Sequence, residues 1–175
     1  MSQSQTNTAS TSPDFVLTRV FDAPRELVWR AFTEPERMKE WWGPKEFSVV
    51  KSQMDLRPGG TYHYGMKAKS GAVMWGKMVF REIVPQQRIV FINSFSDEAG
   101  GTTRHPGHEK WPLEMFSIFT FEDAPGGKTK VTIRWQAHNA SAEEQNMFDT
   151  SHDSMNQGWG GSLERLVAYL AKAQK

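Results

Sequence analysis

The chain contains no cysteine among its 175 residues. That absence excludes disulfides, thiol nucleophiles and thiolate zinc sites. A chain of this length buries roughly two-thirds of its unfolded surface, enough for a core without covalent staples. An excess of one charge is missing too: 21 basic and 20 acidic side chains are scattered along the sequence, for a formal charge of +1. Nucleic-acid readers concentrate basic charge on one face, and no basic run is present, so neither DNA nor RNA is expected as a partner. No stretch approaches the ~20 apolar residues of a membrane span. Residues 1–13 carry neither charge nor an apolar segment, which excludes a secretory signal. Their Ser, Thr, Gln and Asn content predicts a disordered tail ahead of a single domain over 14–175. A soluble cytoplasmic protein is the expectation.

What is plentiful is aromatic and thioether surface: seven Trp, eleven Phe and nine Met. Trp and Met line large, adaptable apolar spaces, and ordinary cores use them as well. The apolar period reads first as a strand, Phe15 to Phe21, and then as a helix opened by Asp22-Ala23-Pro24 with Leu27, Val28, Ala31 and Phe32 on one stripe. Thr33-Glu34-Pro35-Glu36 has the form of a capping box for a second short helix, which Trp41-Trp42-Gly43-Pro44 ends. From Glu46 the period becomes two. Strands are predicted over 46–54, 60–68, 72–84, 87–95, 112–123 and 128–138, with Pro58-Gly59-Gly60, Ser70-Gly71, Pro85-Gln86 and Pro125-Gly126-Gly127 between them. Connections this short make the sheet an antiparallel meander. Residues 96–111 form a polar, Gly-rich loop too long for a tight hairpin, either a lid or a mobile segment. Ser141-Ala142-Glu143-Glu144 is another capping box, and Met155, Trp159, Leu163, Leu166 and Leu170 give the last helix one apolar face.

Strand parity assigns an inner face of Tyr62, Tyr64, Met66, Met74, Met78, Phe80, Met115, Phe119 and Trp135. A strongly curved sheet gripping one helix leaves interior space, with the Tyr62 and Tyr64 hydroxyls, Ser117 and Asn93 as polar tips. The same faces fit an ordinary packed core, and the sequence leaves both open.

Three segments narrow the fold: Phe21 to Glu36 followed by Trp41-Trp42-Gly43-Pro44; Leu56-Arg57-Pro58-Gly59-Gly60-Thr61-Tyr62; and Met155-Asn156-Gln157-Gly158-Trp159 followed by Leu163-Glu164-Arg165-Leu166. Together they resemble the SRPBCC superfamily, also called START-like or birch-pollen-allergen-like. Within it they are similar to the branch named after the C-terminal domain of the activator of heat-shock protein 90 ATPase. The resemblance covers nearly all of the chain after Pro13. It implies an α+β helix-grip fold, in which a curved antiparallel sheet wraps around a long C-terminal helix, with two short helices after the first strand and a deep cavity between sheet and last helix. For function it implies a range, from binders of sterols, lipids and polyketides to cyclases and dehydratases. The eukaryotic co-chaperones carry a further N-terminal domain for which the thirteen leading residues leave no room, so a chaperone partner is left unsupported.

The candidate chemistry is sparse. His105-Pro106-Gly107-His108-Glu109 clusters three ligand-type side chains, but the spacing matches no zinc signature, and no metal or other cofactor is expected. His63 and His138 fall on outward parity. His152 precedes Met155 on the apolar face of the last helix, where it could meet a ligand's polar group. No carboxylate pair and no nucleophile elbow is present, so no catalytic residue is assigned. Gly158, Gly160 and Gly161 each cost a helix about 1 kcal/mol relative to Ala, which suggests either close packing or a loose turn that gates the cavity with Trp41, Trp42 and the long loop. The leading reading is non-catalytic binding of a small, largely apolar molecule. Its contact residues would be Trp41, Trp42, the inner-face set, His152, Met155 and Trp159. A cyclase-type enzyme and a protein-interaction module with an exposed Trp41-Trp42 pair are the alternatives.

Overall fold

The computed structural model describes residues 14–175; the tail expected over 1–13 lies outside the described residues. The elements follow as β1 (Phe15–Phe21), α1 (Arg25–Thr33), α2 (Pro35–Trp41), β2 (Phe47–Met54), β3 (Thr61–Ala68), β4 (Val73–Val84), β5 (Arg88–Ser96), β6 (Thr102–Thr103), β7 (Glu114–Ala124), β8 (Lys128–His138), α3 (Ala142–Asp149) and α4 (His152–Ala173). All strands join one eight-stranded sheet of order β1-β8-β7-β5-β4-β3-β2, with β6 paired to β5 off this path. Every pairing is antiparallel. The meander therefore runs from β2 to β8, and β1 returns to the β8 edge. The sheet curls as a half-barrel around α4, whose Met155, Trp159, Leu163, Leu166 and Leu170 are buried. This is the α+β helix-grip architecture.

Two glycines let aromatic rings cross the strands. A Cβ on Gly76 would lie 2.4 Å from the Tyr64 hydroxyl oxygen, so the Tyr64 ring lies over the bare backbone of its cross-strand partner on the inner face. On the outer face Trp75 covers Gly65 in the same manner, with a Cβ there only 2.7 Å from the indole ring. A glycine opposite a large ring permits this close approach. β-Bulges between Val49 and Lys51 and between Phe80 and Glu82 add local bending.

Three local expectations change. Thr33 does not cap α2: it ends α1, where its Oγ1 donates to the Trp29 carbonyl at 2.8 Å, and Glu34 takes the N-cap position with Pro35 at N1. Ser141 does cap, its Oγ accepting from the Glu144 N–H at 3.2 Å. The helix it begins is a separate one, however. The Ser151 hydroxyl donates to the Met147 carbonyl at 2.6 Å and the Thr150 hydroxyl to Asn146 at 2.9 Å. Hydroxyls that bond back to the preceding turn compete with the backbone ladder, and the chain breaks between α3 and α4 there.

The glycines of α4 form neither a loose turn nor a close contact. Residues 152–173 are helical throughout, and an added Cβ at Gly158, Gly160 or Gly161 meets nothing within 4 Å. Their cost to the helix is uncompensated by packing. Gly160→Ala is accordingly expected to stabilise the fold by about 0.5–1 kcal/mol, read as a rise in melting temperature of about 1–4 °C; a fall would show that the backbone at Gly160 is needed bare.

Candidate ligand-binding cavity

A cavity of about 540 Å³ lies between the inner face of the sheet and α4. That volume is in the size class of small-molecule sites. Its floor comes from β5 and β7, where Phe91, Met115 and Phe119 alternate inward, and from Met78 on β4. Trp135 on β8 and Trp159 on α4 close one wall with their rings 5.4 Å apart. Adjoining it is the turn after α2, with Trp42, Gly43 and Pro44, and Tyr64 and Met66 also line the space. Trp42 packs edge-on against both Trp159 and Tyr64, each at 5.6 Å. The long loop supplies His105, His108, Trp111, Pro112 and Leu113, and the α3–α4 corner supplies Met147, Ser151 and Ser154.

That α2 turn is held from α4. Arg165 Nη1 stands within hydrogen-bond distance of four carbonyls, those of Trp42 (3.3 Å), Gly43 (2.9 Å), Pro44 (3.0 Å) and Phe47 (3.1 Å), which share its two N–H bonds. Desolvation lowers the Arg165 pKa from its ordinary value. Gly43 adopts φ +92°, and a Cβ there would stand 2.4 Å from the Met66 sulfur, so the turn is open only to glycine.

The expected contact residues divide. Trp42, Tyr64, Met66, Met78, Met115, Phe119, Trp135, Met155 and Trp159 all line the cavity. Trp41, Tyr62, Met74, Phe80 and His152 do not. Trp41 is 0% exposed, and its indole N–H donates to the Ala31 carbonyl at 3.0 Å, which makes it core beneath the turn. Tyr62 is also 0% exposed. Its hydroxyl donates at 2.9 Å to Ser52 Oγ, which itself donates to the Pro35 carbonyl, so it is no polar tip. Phe80 packs on Phe91 in the core. Met74 pairs with Met66 near the start of β4, short of the cavity. His152 turns between the rings of Phe15 and Phe148, at 5.7 and 5.3 Å. Its Nε2 is buried there without a hydrogen-bond partner.

Lining residues that strand parity did not assign come mainly from β5 and the loop. Arg88–Ser96 reads Arg-Ile-Val-Phe-Ile-Asn-Ser-Phe-Ser, apolar at consecutive positions, and Val90 and Ile92 are buried along with Phe91. A strand buried on both faces gives no alternation to read. The loop residues carry no periodicity at all; the apolar Trp111-Pro112-Leu113 run inside a polar stretch was their one signal.

The polar groups of the wall are few. Ser117, fully buried, donates its hydroxyl to Asn93 Oδ1, which leaves the Asn93 amide N–H₂ for the cavity. The indole N–H groups of Trp135 and Trp159 are buried with no hydrogen-bond partner. Burial pushes the Tyr64 hydroxyl up to about 12, so near neutrality it is a hydroxyl and not a phenolate. Burial raises Tyr62 as well. The lining includes no carboxylate, and its titratable side chains are Tyr64, His105 and His108.

A curved sheet closed by a long helix over an apolar, pre-formed cavity defines a helix-grip cavity protein. More particularly, the family model described as "Activator of Hsp90 ATPase homolog 1-like protein" matches residues 22–171, and the chain belongs to that family. A structure of a Nitrosomonas europaea protein is similar with a TM-score of 0.73 at 24% identity, covering 95% of this chain and 99% of that one. An Arthrobacter aurescens protein in solution gives a TM-score of 0.74 at 23% identity, with 91% and 86% covered. The AHSA1 protein of Silicibacter pomeroyi gives 0.67 at 21%, with 92% and 99% covered. These likenesses establish the fold. No curated protein matches the chain.

Replacing Arg165 with Met leaves partly buried carbonyls without their charged donor. Hydrogen bonds to charged groups contribute about 1.5–3 kcal/mol, so Arg165→Met should lower the melting temperature by about 3–10 °C. Arg165→Lys should recover only part of this, because the lysine side chain is shorter and its compact ammonium is more strongly hydrated. An unchanged melting temperature in both variants would show that the turn is held by its own glycine and proline geometry.

Proposed function

We propose that this chain binds a small, largely apolar molecule in the cavity and does so without catalysing a reaction on it. The observation that carries this reading is the cavity itself: pre-formed, about 540 Å³, and walled by aromatic and Met side chains with few polar groups among them. Apolar burial at about 25 cal/mol per Å² would supply the affinity, and the unpartnered donors would orient the occupant. Family membership agrees with a ligand-holding domain in general. Neither alternative has a comparable observation behind it. An interaction module built on Trp41-Trp42 needs that pair exposed, and the two residues are 0% and 8% exposed. A cyclase-type enzyme built on the Tyr62 and Tyr64 hydroxyls and His152 needs all three at the cavity, and of these only Tyr64 lines it.

The test uses a neutral fluorescent probe, N-phenyl-1-naphthylamine. Wild-type protein is expected to enhance and blue-shift its emission. Met115→Trp places a bulky ring on the cavity floor and should weaken probe binding at least about tenfold, since occupied volume is lost while the fold is kept. Saturable binding that Met115→Trp leaves untouched would locate the probe elsewhere, and no binding to the wild type would remove the reading.

A further inference from the structure

The polar groups around the cavity include no anion. Among the lining residues of the described chain there is no Asp, Glu, Lys or Arg. What faces the occupant is the Tyr64 hydroxyl, the Asn93 amide, four serines and, at the loop, His105 and His108. These two rings are the only lining side chains able to acquire positive charge. They pack together at 4.8 Å, with Phe95 4.7 Å from His105 on the other side. The Gly107 N–H donates to His105 Nδ1 at 2.9 Å. A neutral imidazole that accepts at Nδ1 carries its proton on Nε2, so His105 is fixed as an Nε2–H donor.

From this arrangement we propose that the occupant is an amphiphilic carboxylic acid, its apolar chain over Phe91, Phe119 and Trp159 and its carboxylate at the His105–His108 end. The proposal rests on the binding reading above and names its ligand class.

The charged surroundings of that end fit an anion. Two acidic groups on α3 face the loop, and each is matched by a loop cation: Glu144 by Arg104 at 3.7 Å and Glu143 by Lys110 at 3.6 Å. Asp149 accepts from Gln145, and Asp97 accepts from the Gly101 N–H at 2.7 Å on the β5 side. Glu109 on the loop and Asp153 on α4 are exposed to water, where they are screened. Ser151 and Ser154, at the start of the 22-residue α4, line the cavity from the corner where Phe148 meets Trp111. That places the positive end of a long helix on the same side as the histidines. A primary ammonium, by contrast, would find no anionic partner in the wall.

The arrangement has a pH signature. In the empty protein, burial first and then the charge of His108 lower the His105 pKa from its ordinary value, so the ring stays neutral near neutrality. A bound carboxylate favours the charged ring, whose second proton goes to Nδ1 in place of the Gly107 N–H bond, and so raises that pKa. The complex then holds more protons than the free protein, and binding tightens as pH falls. An uncharged alcohol of the same length has no such coupling.

The experiment titrates decanoate and 1-decanol separately into the full chain by calorimetry, between about pH 8 and about pH 6, the range over which a histidine titrates. Decanoate is expected to bind about threefold to tenfold more tightly at the lower pH, the scale of one charge-assisted contact, while decanol affinity stays level. The double substitution His105→Gln, His108→Gln keeps hydrogen-bonding groups and removes the titration. It should abolish the pH dependence for decanoate, with the melting transition confirming that the variant is folded. Decanoate affinity that is level with pH, or weaker than decanol throughout, overturns the carboxylate assignment and leaves the apolar cavity reading standing. Tightening that persists in the double variant overturns the role of the histidines. Failure of both probes to bind overturns the cavity reading along with it.

Discussion

The cavity depends on one side chain. Arg165 projects from α4 and gathers four carbonyls of the segment between α2 and β2. A guanidinium suits this task because it stays charged under desolvation. By fixing Trp42, Gly43 and Pro44 it fixes one wall of the cavity, and by tying that wall to α4 it keeps the helix seated against the sheet. Trp42 then completes the aromatic cluster through Tyr64 and Trp159. Remove the guanidinium and nothing else on α4 bonds to that turn among the described residues. The interior space is therefore braced across its mouth rather than merely left over by poor packing.

Other features near the cavity run against stability. Two indole N–H groups in the wall lack partners, and a buried unsatisfied donor costs about 1–3 kcal/mol. Three glycines stand within about one turn of α4 with open space where a Cβ would go. Away from the cavity His152 Nε2 is likewise unpartnered, whereas Thr129 Oγ1, fully buried, donates to the Ala23 carbonyl at 2.7 Å. Of these, the two indoles and Gly158 line the space that the sheet and α4 enclose.

How much of this could be read from the residues follows from which signals have a period. Strands such as Glu114–Ala124 alternate cleanly, so Met115 and Phe119 declare their face, and the short turns declare the meander. The three segments around Trp41-Trp42, Pro58-Gly59-Gly60 and Trp159 carried the fold class. Parity says which face a side chain takes but not how far along the strand the cavity extends. Tyr62 and Phe80 thus share a face with Tyr64 and Met78 yet belong to the core below. His152 follows the stripe of α4 in sequence but sits at its first residue, where the break after α3 directs it to Phe15 and Phe148 instead. β5 hid its lining because it is buried on both sides. His105 and His108 suggested a metal cluster by composition, and their relation to the cavity depended on how a loop without periodicity folds back.

The wall has two mechanical characters, and these bear on selectivity. Trp42, Tyr64, Phe119, Trp135 and Trp159 brace one another edge to face, a geometry that fixes ring positions. Met66, Met78, Met115, Met147 and Met155 line the remainder, and unbranched thioethers adapt to shape. A surface half rigid and half compliant discriminates poorly between apolar occupants of similar volume, because one extra methylene is worth only about 1–3 kcal/mol even in a well-formed pocket. Selectivity must then come from the polar groups, whose unmet hydrogen bonds penalise the wrong partner more steeply. Those groups include the Asn93 amide, the two indole N–H groups and the His105 Nε2–H as donors. An occupant without an acceptor would leave the Asn93 amide and the His105 Nε2–H unmatched, whereas one with an acceptor at the correct end satisfies them at no cost to the apolar contacts.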